Sequence, residues 1–167
     1  SGGTFGTVKI GGGFSGLLAV LGNQNPTTRT AATALASLTI GGDASGAVFA
    51  GFSPVSGWTH SNVIIGPVTI GGSITGLSIS AGVQAGINGR LADDDDLLAV
   101  SGSSIPSEIV SILVHGPIYG LPALTVHHGF TAQHIGKLQI GATKFALTTG
   151  TDRFDLGDLR NVSLREV

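Results

Sequence analysis

Four consecutive aspartates, Asp93-Asp94-Asp95-Asp96, form the only dense charge cluster in the sequence. Calcium takes about six to eight oxygen ligands, and a glycine-containing loop with several carboxylates can supply them. In an extended chain adjacent side chains point apart, so the same-side pairs are Asp93 with Asp95 and Asp94 with Asp96. The segment lacks the D-x-D-x-D-G spacing of an EF-hand loop. The competing reading is a solvated loop whose charges hold it off its neighbours. Asp93, Asp94, Asp95 and Asp96 are therefore carried as a calcium candidate, and no other cofactor is expected.

Histidine is the second possible ligand type, and His115, His127, His128 and His134 lie late in the chain. Convergence of two or three on neighbouring segments would make a transition-metal site. His127 and His128 should face opposite ways if extended, and no carboxylate lies close to them in sequence, so structural histidines are the expectation. For catalysis the sequence offers little. Asp43 is the only carboxylate before the acidic run, where a carbohydrate-active enzyme needs paired carboxylates on one face. The nucleophile-elbow pattern fails in Gly51-Phe52-Ser53-Pro54-Val55, and Gly72-Ser73-Ile74-Thr75-Gly76 shares its small residues by coincidence. No enzymatic activity is expected. Trp58 is a candidate contact residue at a protein or glycan surface, weighed against its packing the loop back onto the body.

One further stretch imitates chemistry. Val8-Lys9-Ile10 is followed by Gly11-Gly12-Gly13-Phe14-Ser15-Gly16, a G-x-G-x-x-G after a strand-like triplet. A dinucleotide fingerprint needs a helix opening at its last glycine and an acidic residue about 20 positions on. Neither is present. The stretch also recurs, as Leu38-Thr39-Ile40-Gly41-Gly42 and Val68-Thr69-Ile70-Gly71-Gly72. A phosphate loop is used once, whereas a structural turn is used in every copy.

The repeat also defines the elements. Ile10, Ile40 and Ile70 are spaced by 30 residues, and a second glycine keeps step at Gly16, Gly46 and Gly76. A degenerate fourth copy runs from Ile112 to Gly120, placing Val114 44 residues after Ile70, and a fifth begins Leu138-Gln139-Ile140-Gly141. Within a copy the apolar period is two, which predicts short strands punctuated by glycine corners. Such a unit cannot bury its apolar face alone, but stacked coils about 4.8 Å apart can. The prediction is an all-β, right-handed parallel β-helix of about five coils, with three short strands per coil. Gly11, Gly12, Gly41, Gly42, Gly71 and Gly72 are the expected corners, with positive φ and coils in close approach. The stretches 23–30, 52–61 and 88–107 are expected to leave the solenoid as loops.

Composition agrees. There are 28 glycines among 167 residues, and only 11% of residues are charged, against roughly 25% in ordinary domains. The net charge of −2 gives no electrostatic reason to expect nucleic acid or an anionic membrane as partner. No apolar run approaches a membrane span of about 18 residues. Cysteine is absent, so there is neither disulfide nor thiolate site. Charge is instead concentrated at the end: Asp152, Arg153, Asp155, Asp158, Arg160, Arg165 and Glu166 fall in residues 151–167, a predicted charged cap. The N-terminal coil has no such cap, so the chain is expected to be a fragment or processed piece of a longer protein.

Residues 129–167, GFTAQHIGKLQIGATKFALTTGTDRFDLGDLRNVSLREV, resemble the closing segment of very large bacterial surface proteins built from glycine-rich V-x-I-G-G repeats. Residues 86–100, GINGRLADDDDLLAV, are similar to their recurrent acidic loop, although four successive aspartates depart from its usual pattern. The resemblance implies export, display at the bacterial cell surface or outside the cell, and an architectural role. The expected function is a β-solenoid spacer or self-assembling building block of a filament, sheath or surface layer. Its expected partners are further copies or adjacent coils of a parent chain. The alternative is an adhesin or carbohydrate-binding module that meets surface glycans through loops 52–61 and 88–107.

Overall fold

The structure, a computed structural model, describes residues 4–52, 59–99, 104–122, 127–148, 151–158 and 161–167. The chain is a β-solenoid of about five turns. Coil 1 consists of β1 (Phe5–Ile10) and β2 (Phe14–Val20). A single helical turn, α1 (Arg29–Ala32), leads into coil 2, β3 (Thr33–Ile40) and β4 (Ala44–Ala50). This turn falls where sequence patterning predicts only loop; Thr28 caps it by accepting the Ala31 N–H. Coil 3 has β5 (Ile64–Ile65), β6 (Val68–Ile70) and β7 (Ile74–Ala81). An excursion follows, held by β8 (Val83–Gln84) and β9 (Leu97–Leu98). Coil 4 is β10 (Glu108–Ile109), β11 (Ile112–Val114), β12 (Ile118–Tyr119) and β13 (His128–Ala132). The last coil holds β14 (His134–Ile135), β15 (Leu138–Ile140), β16 (Thr143–Phe145), β17 (Arg153–Leu156) and β18 (Val162–Glu166).

Coils 1 and 2 give one strand to each of two sheets, whereas coil 3 has the three short strands the repeat length suggested, β5 and β6 sharing one sheet and β7 lying in the other. One sheet stacks β1, β3, β5/β6, β10/β11 and β14/β15 in parallel, and the other stacks β2, β4, β7, β12/β13 and β18. The sequence repeat is the hydrogen-bonding register. Ile10 pairs with Ile40, Ile40 with Ile70, Ile70 with Val114 and Val114 with Ile140. Parallel coils in register bring like side chains into rows, and the rows from both sheets meet in a common core. Leu35, Leu38, Ile40, Ile70 and Ile112 from the first sheet lie against Val48, Ile79, Phe130 and Leu164 from the second. Full burial of each such side chain contributes about 1.5–3 kcal/mol.

The corner glycines are explained by packing alone. Positive φ occurs elsewhere, including Gly46 (φ 95°) and Gly76 (φ 63°), and none of Gly11, Gly12, Gly41, Gly42, Gly71 and Gly72 adopts it. A Cβ on Gly41 would lie 2.4 Å from the Gly11 carbonyl oxygen, and one on Gly71 2.5 Å from that of Gly41. The corner is a spine of backbone bonds, with the N–H of Gly42, Gly72 and Gly116 donating to the carbonyls of Gly12, Gly42 and Gly72, each at 3.0 Å. The left-handed turn belongs instead to the second glycine of the repeat. Its register also slips at Gly76: Gly46 lies opposite Leu77, so β7 carries a bulge there.

The last coil closes by reversing strand direction. β16 turns back antiparallel on β15, and β17 lies antiparallel on β18. Phe145 and Phe154, edge to face with ring centroids 5.5 Å apart, pack against the end of the core. Charge does not simply rim this cap, as the sequence suggested. Glu166, 5% exposed, accepts the Ile135 N–H at 2.7 Å and the Asp152 N–H at 3.1 Å. Asp152 accepts the Thr148 N–H and hydroxyl at 2.6 and 3.1 Å. Both carboxylates satisfy polar groups that the turning chain would otherwise bury unpaired.

Candidate functional site

β8 and β9 pair antiparallel, Val83 opposite Leu98 and Gln84 opposite Leu97, and carry the aspartates on an arm folded over the outer face of the second sheet. Strand alternation turns Val48 inward and Phe49 outward, so that face would expose an aromatic ring without the arm. Val83 and Leu91 bury Phe49, with Ala47, Phe52, Ala85 and Leu98 around them. Covered by the arm and its anchors, Ser80, Thr131 and Ser163 become fully buried although they point away from the core.

The four aspartates have different partners. Asp93 and Asp95 form the predicted same-side pair around Asn88. Asp93 accepts the Asn88 side-chain amide at 2.8 Å, and Asp95 accepts the Asn88 backbone N–H at 3.1 Å. The Asp93 side chain, followed by that N–H, holds the Asp95 carboxyl below the usual carboxylate range. Asp94 and Asp96 do not pair. Asp94 faces solvent and meets Arg153, with Arg165 at 4.0 Å. Asp96 turns inward and accepts the Ala92 N–H at 2.6 Å. Burial, aided by the charge of Asp93, pushes its carboxyl up to about 7. No three His, Asp or Glu side chains converge as a metal-holding group among the described residues.

The arm is fastened to the closing strand. Ala92 sits at φ 67°, a strained conformation for a residue with a Cβ. Its carbonyl accepts from the Ser163 hydroxyl and, at 3.4 Å, from Arg165 Nε. The Asp94–Arg153 pair links the same arm to β17, and Arg165 also reaches Asp155 at 3.5 Å. Insertion and cap, 59 residues apart at Asp94 and Arg153, thus support each other.

Between arm and sheet lies a groove of about 700 Å³, lined by Ala47, Phe49, Phe52, Ser78, residues 88–91, His127 and His128. His127 and His128 were expected to diverge, yet both line it, because β13 begins only at His128 and His127 precedes the regular strand. His127 Nε2 is 2.8 Å from Ser163 Oγ. Ser163 gives its one hydroxyl proton to Ala92, so the imidazole donates and the serine accepts. The pair resembles a nucleophile and base, but Ser163 is fully buried and its proton is already committed. His128 Nδ1 lies 3.3 Å from Ser78 Oγ. Burial lowers the pKa of both rings, and His127 lowers that of His128 further.

The other sequence candidates lie elsewhere. His115 is exposed, His134 Nδ1 faces Glu166 at 3.3 Å, and His60 is buried against the Leu21 carbonyl. Trp58 lies outside the described residues, as do parts of both loops expected to make contacts. Sequence reasoning missed Arg90, Phe49 and the coupling of Arg153 and Arg165 to the arm. Only the outward parity of Phe49 on a regular strand signalled anything of this. It also missed Asp43, whose carboxylate accepts the Ser73 N–H and hydroxyl at 2.7 and 2.8 Å. Those two bonds, N–H first, hold its pKa below the usual range and tie coil 2 to coil 3.

No protein-family model, curated protein or solved structure matches this chain. Among the described residues, no helix is long and apolar enough to cross a membrane.

Proposed function

We propose that this chain is a structural β-solenoid segment whose open end stacks onto a further coil and whose other end closes the stack. The observation that carries the reading is the contrast between coil 1 and the last coil. β1 and β2 each pair only with the coil below among the described residues. Phe5 and Leu17 are 51% and 48% exposed, and Val8, Ile10, Phe14 and Leu18 are only half covered at the end of the core. Two parallel edges bearing unused N–H and C=O groups above an apolar layer fit another coil of the same register. That coil comes from a parent chain or, paired antiparallel across a two-fold axis, from coil 1 of a second copy. The antiparallel β16 and β17 make continued head-to-tail growth unfavourable, so the role is that of a spacer end or building block rather than an endless fibre. We further propose a location at the bacterial surface or outside the cell, a reading supported by the resemblance of residues 129–167 and 86–100.

Two measurements test this together. Light scattering across concentration should show the mass rising toward twice that of the monomer. A chain with a copy of residues 34–63 placed before residue 4 should order the added coil and unfold at higher temperature. A strict monomer whose added coil stays unfolded and protease-sensitive overturns the proposal. Repeating both with calcium and with a chelator tests Asp93–Asp96: a calcium-dependent shift assigns an ion to them. No shift leaves their backbone and arginine partners as their role.

A further inference from the structure

We propose that the groove between the second sheet and the acidic arm binds an acidic sugar, a uronic acid unit whose carboxylate meets Arg90. Its volume of about 700 Å³ falls within the roughly 300–1,000 Å³ of small-molecule sites. Three features of its lining select the ligand. Arg29 pairs with Glu108, Arg153 with Asp94 and Arg165 with Asp155, whereas Arg90 has no acidic partner among the described residues. A carboxylate supplies the planar acceptor that a guanidinium fork fits. Next, His127 spends its Nε2 proton on Ser163, which leaves Nδ1 as the ring's acceptor and suits a hydroxyl donor. Finally, Ala47, Phe52 and Leu91 give an apolar wall for the C–H face of a sugar ring. An organic acid without hydroxyls leaves His127 Nδ1 unmatched, and a neutral sugar leaves Arg90 unmatched.

Charge around the histidines gives a second readout. Asp93 and Asp155 favour protonated His127, while Arg165, Arg90 and burial oppose it; His128 feels burial and His127. An anion in the groove adds to the favourable side, so the His127 titration should move upward in the complex. The groove extends to Ala47 of β4, which pairs with Leu17 of coil 1, so binding is read apart from stacking.

The test is titration with digalacturonate at neutral pH, followed by calorimetry and by the histidine ring signals. It is run at a concentration where the protein's mass is constant. Digalacturonate should bind saturably, and its dimethyl ester, which keeps the sugar hydroxyls and replaces both charges by methyl esters, about tenfold more weakly. Benzoate, an anion with an apolar face but no sugar hydroxyls, should bind more weakly than digalacturonate. Arg90→Gln should abolish the difference between acid and ester without changing the melting temperature, because the guanidinium holds no ion pair in the fold. Absence of saturable binding, equal affinity for acid and ester, or benzoate matching digalacturonate would each overturn the proposal.

Discussion

At coil 1 the corner glycines Gly11 and Gly12 have open space where a Cβ would project. At the same corner of coils 2 and 3, a Cβ on Gly41 or Gly71 would run into a carbonyl oxygen at 2.4 or 2.5 Å. The residue type is the same and the register is the same, yet the requirement differs. Glycine is demanded by the preceding coil, and coil 1 has none among the described residues. The last coil solves the opposite problem with different chemistry, a reversal of strand direction, two phenylalanines and buried carboxylates. A stacked repeat thus sets the local conformation of every coil, but not how the stack finishes.

That contrast is broken most sharply at the corners. Gly71→Ala should destabilise by about 3 kcal/mol or more, since backbone in two coils must move. Gly11→Ala should be within about 0.5 kcal/mol of wild type in the isolated monomer, and denaturant titration of the two variants reads the difference. If another coil does stack on coil 1, the same Gly11→Ala becomes costly in the assembled form. Equal effects of the two variants in the monomer would refute the packing explanation.

The capped end should respond next. Glu166→Ala leaves the Ile135 and Asp152 N–H groups without their acceptor, at a cost of about 2–4 kcal/mol. Phe154→Ala opens the end of the core and should cost about 2–3 kcal/mol, less than a fully enclosed phenylalanine because the ring is only half covered. A comparable truncation at coil 1, Leu18→Ala, should cost less, as that layer has one side open. Urea unfolding of all three gives the ranking, and a larger loss for Leu18→Ala would show coil 1 to be better covered than its edges suggest.

The arm that joins insertion to cap should show its effect through pH. Asp96 has a carboxyl raised in the fold to about 7 from an ordinary value of 3.8, chiefly by burial. Between those values the folded chain keeps a proton that the unfolded chain releases, so its contribution to stability falls as pH rises through this window and levels off above it. Asp96→Asn keeps the shape without the charge. The melting temperature of the variant should gain on wild type between pH 5 and pH 8; a constant difference would show that Asp96 is ionised throughout.

Much of the fold was legible because stacking converts sequence period into hydrogen-bond register. Ile10, Ile40 and Ile70 are neighbours in one ladder, and even the 44-residue step to Val114 keeps the row intact, since the insertion leaves as an arm. The number of strands per coil was not legible. Glycine marks where a coil turns, but Gly46 and Gly76 lie within or beside continuous strands, and a period of two does not say where a strand ends. The candidate site was visible only in part. The aspartate run named the arm, while its partners Arg153, Ser163 and Arg165 lie some 60 to 70 residues away in sequence.

The sequence by itself determined the repeat, the coil-to-coil register, the apolar rows and the low charge of the first three coils, because each follows from local side-chain alternation repeated at fixed spacing. Only the tertiary structure decided that two sheets enclose the core, that the corner glycines answer to the coil before them, and that Arg90, His127 and His128 share one groove. Those outcomes depend on which chain segments lie against each other across the stack, and no local pattern encodes a contact whose two halves are far apart in sequence.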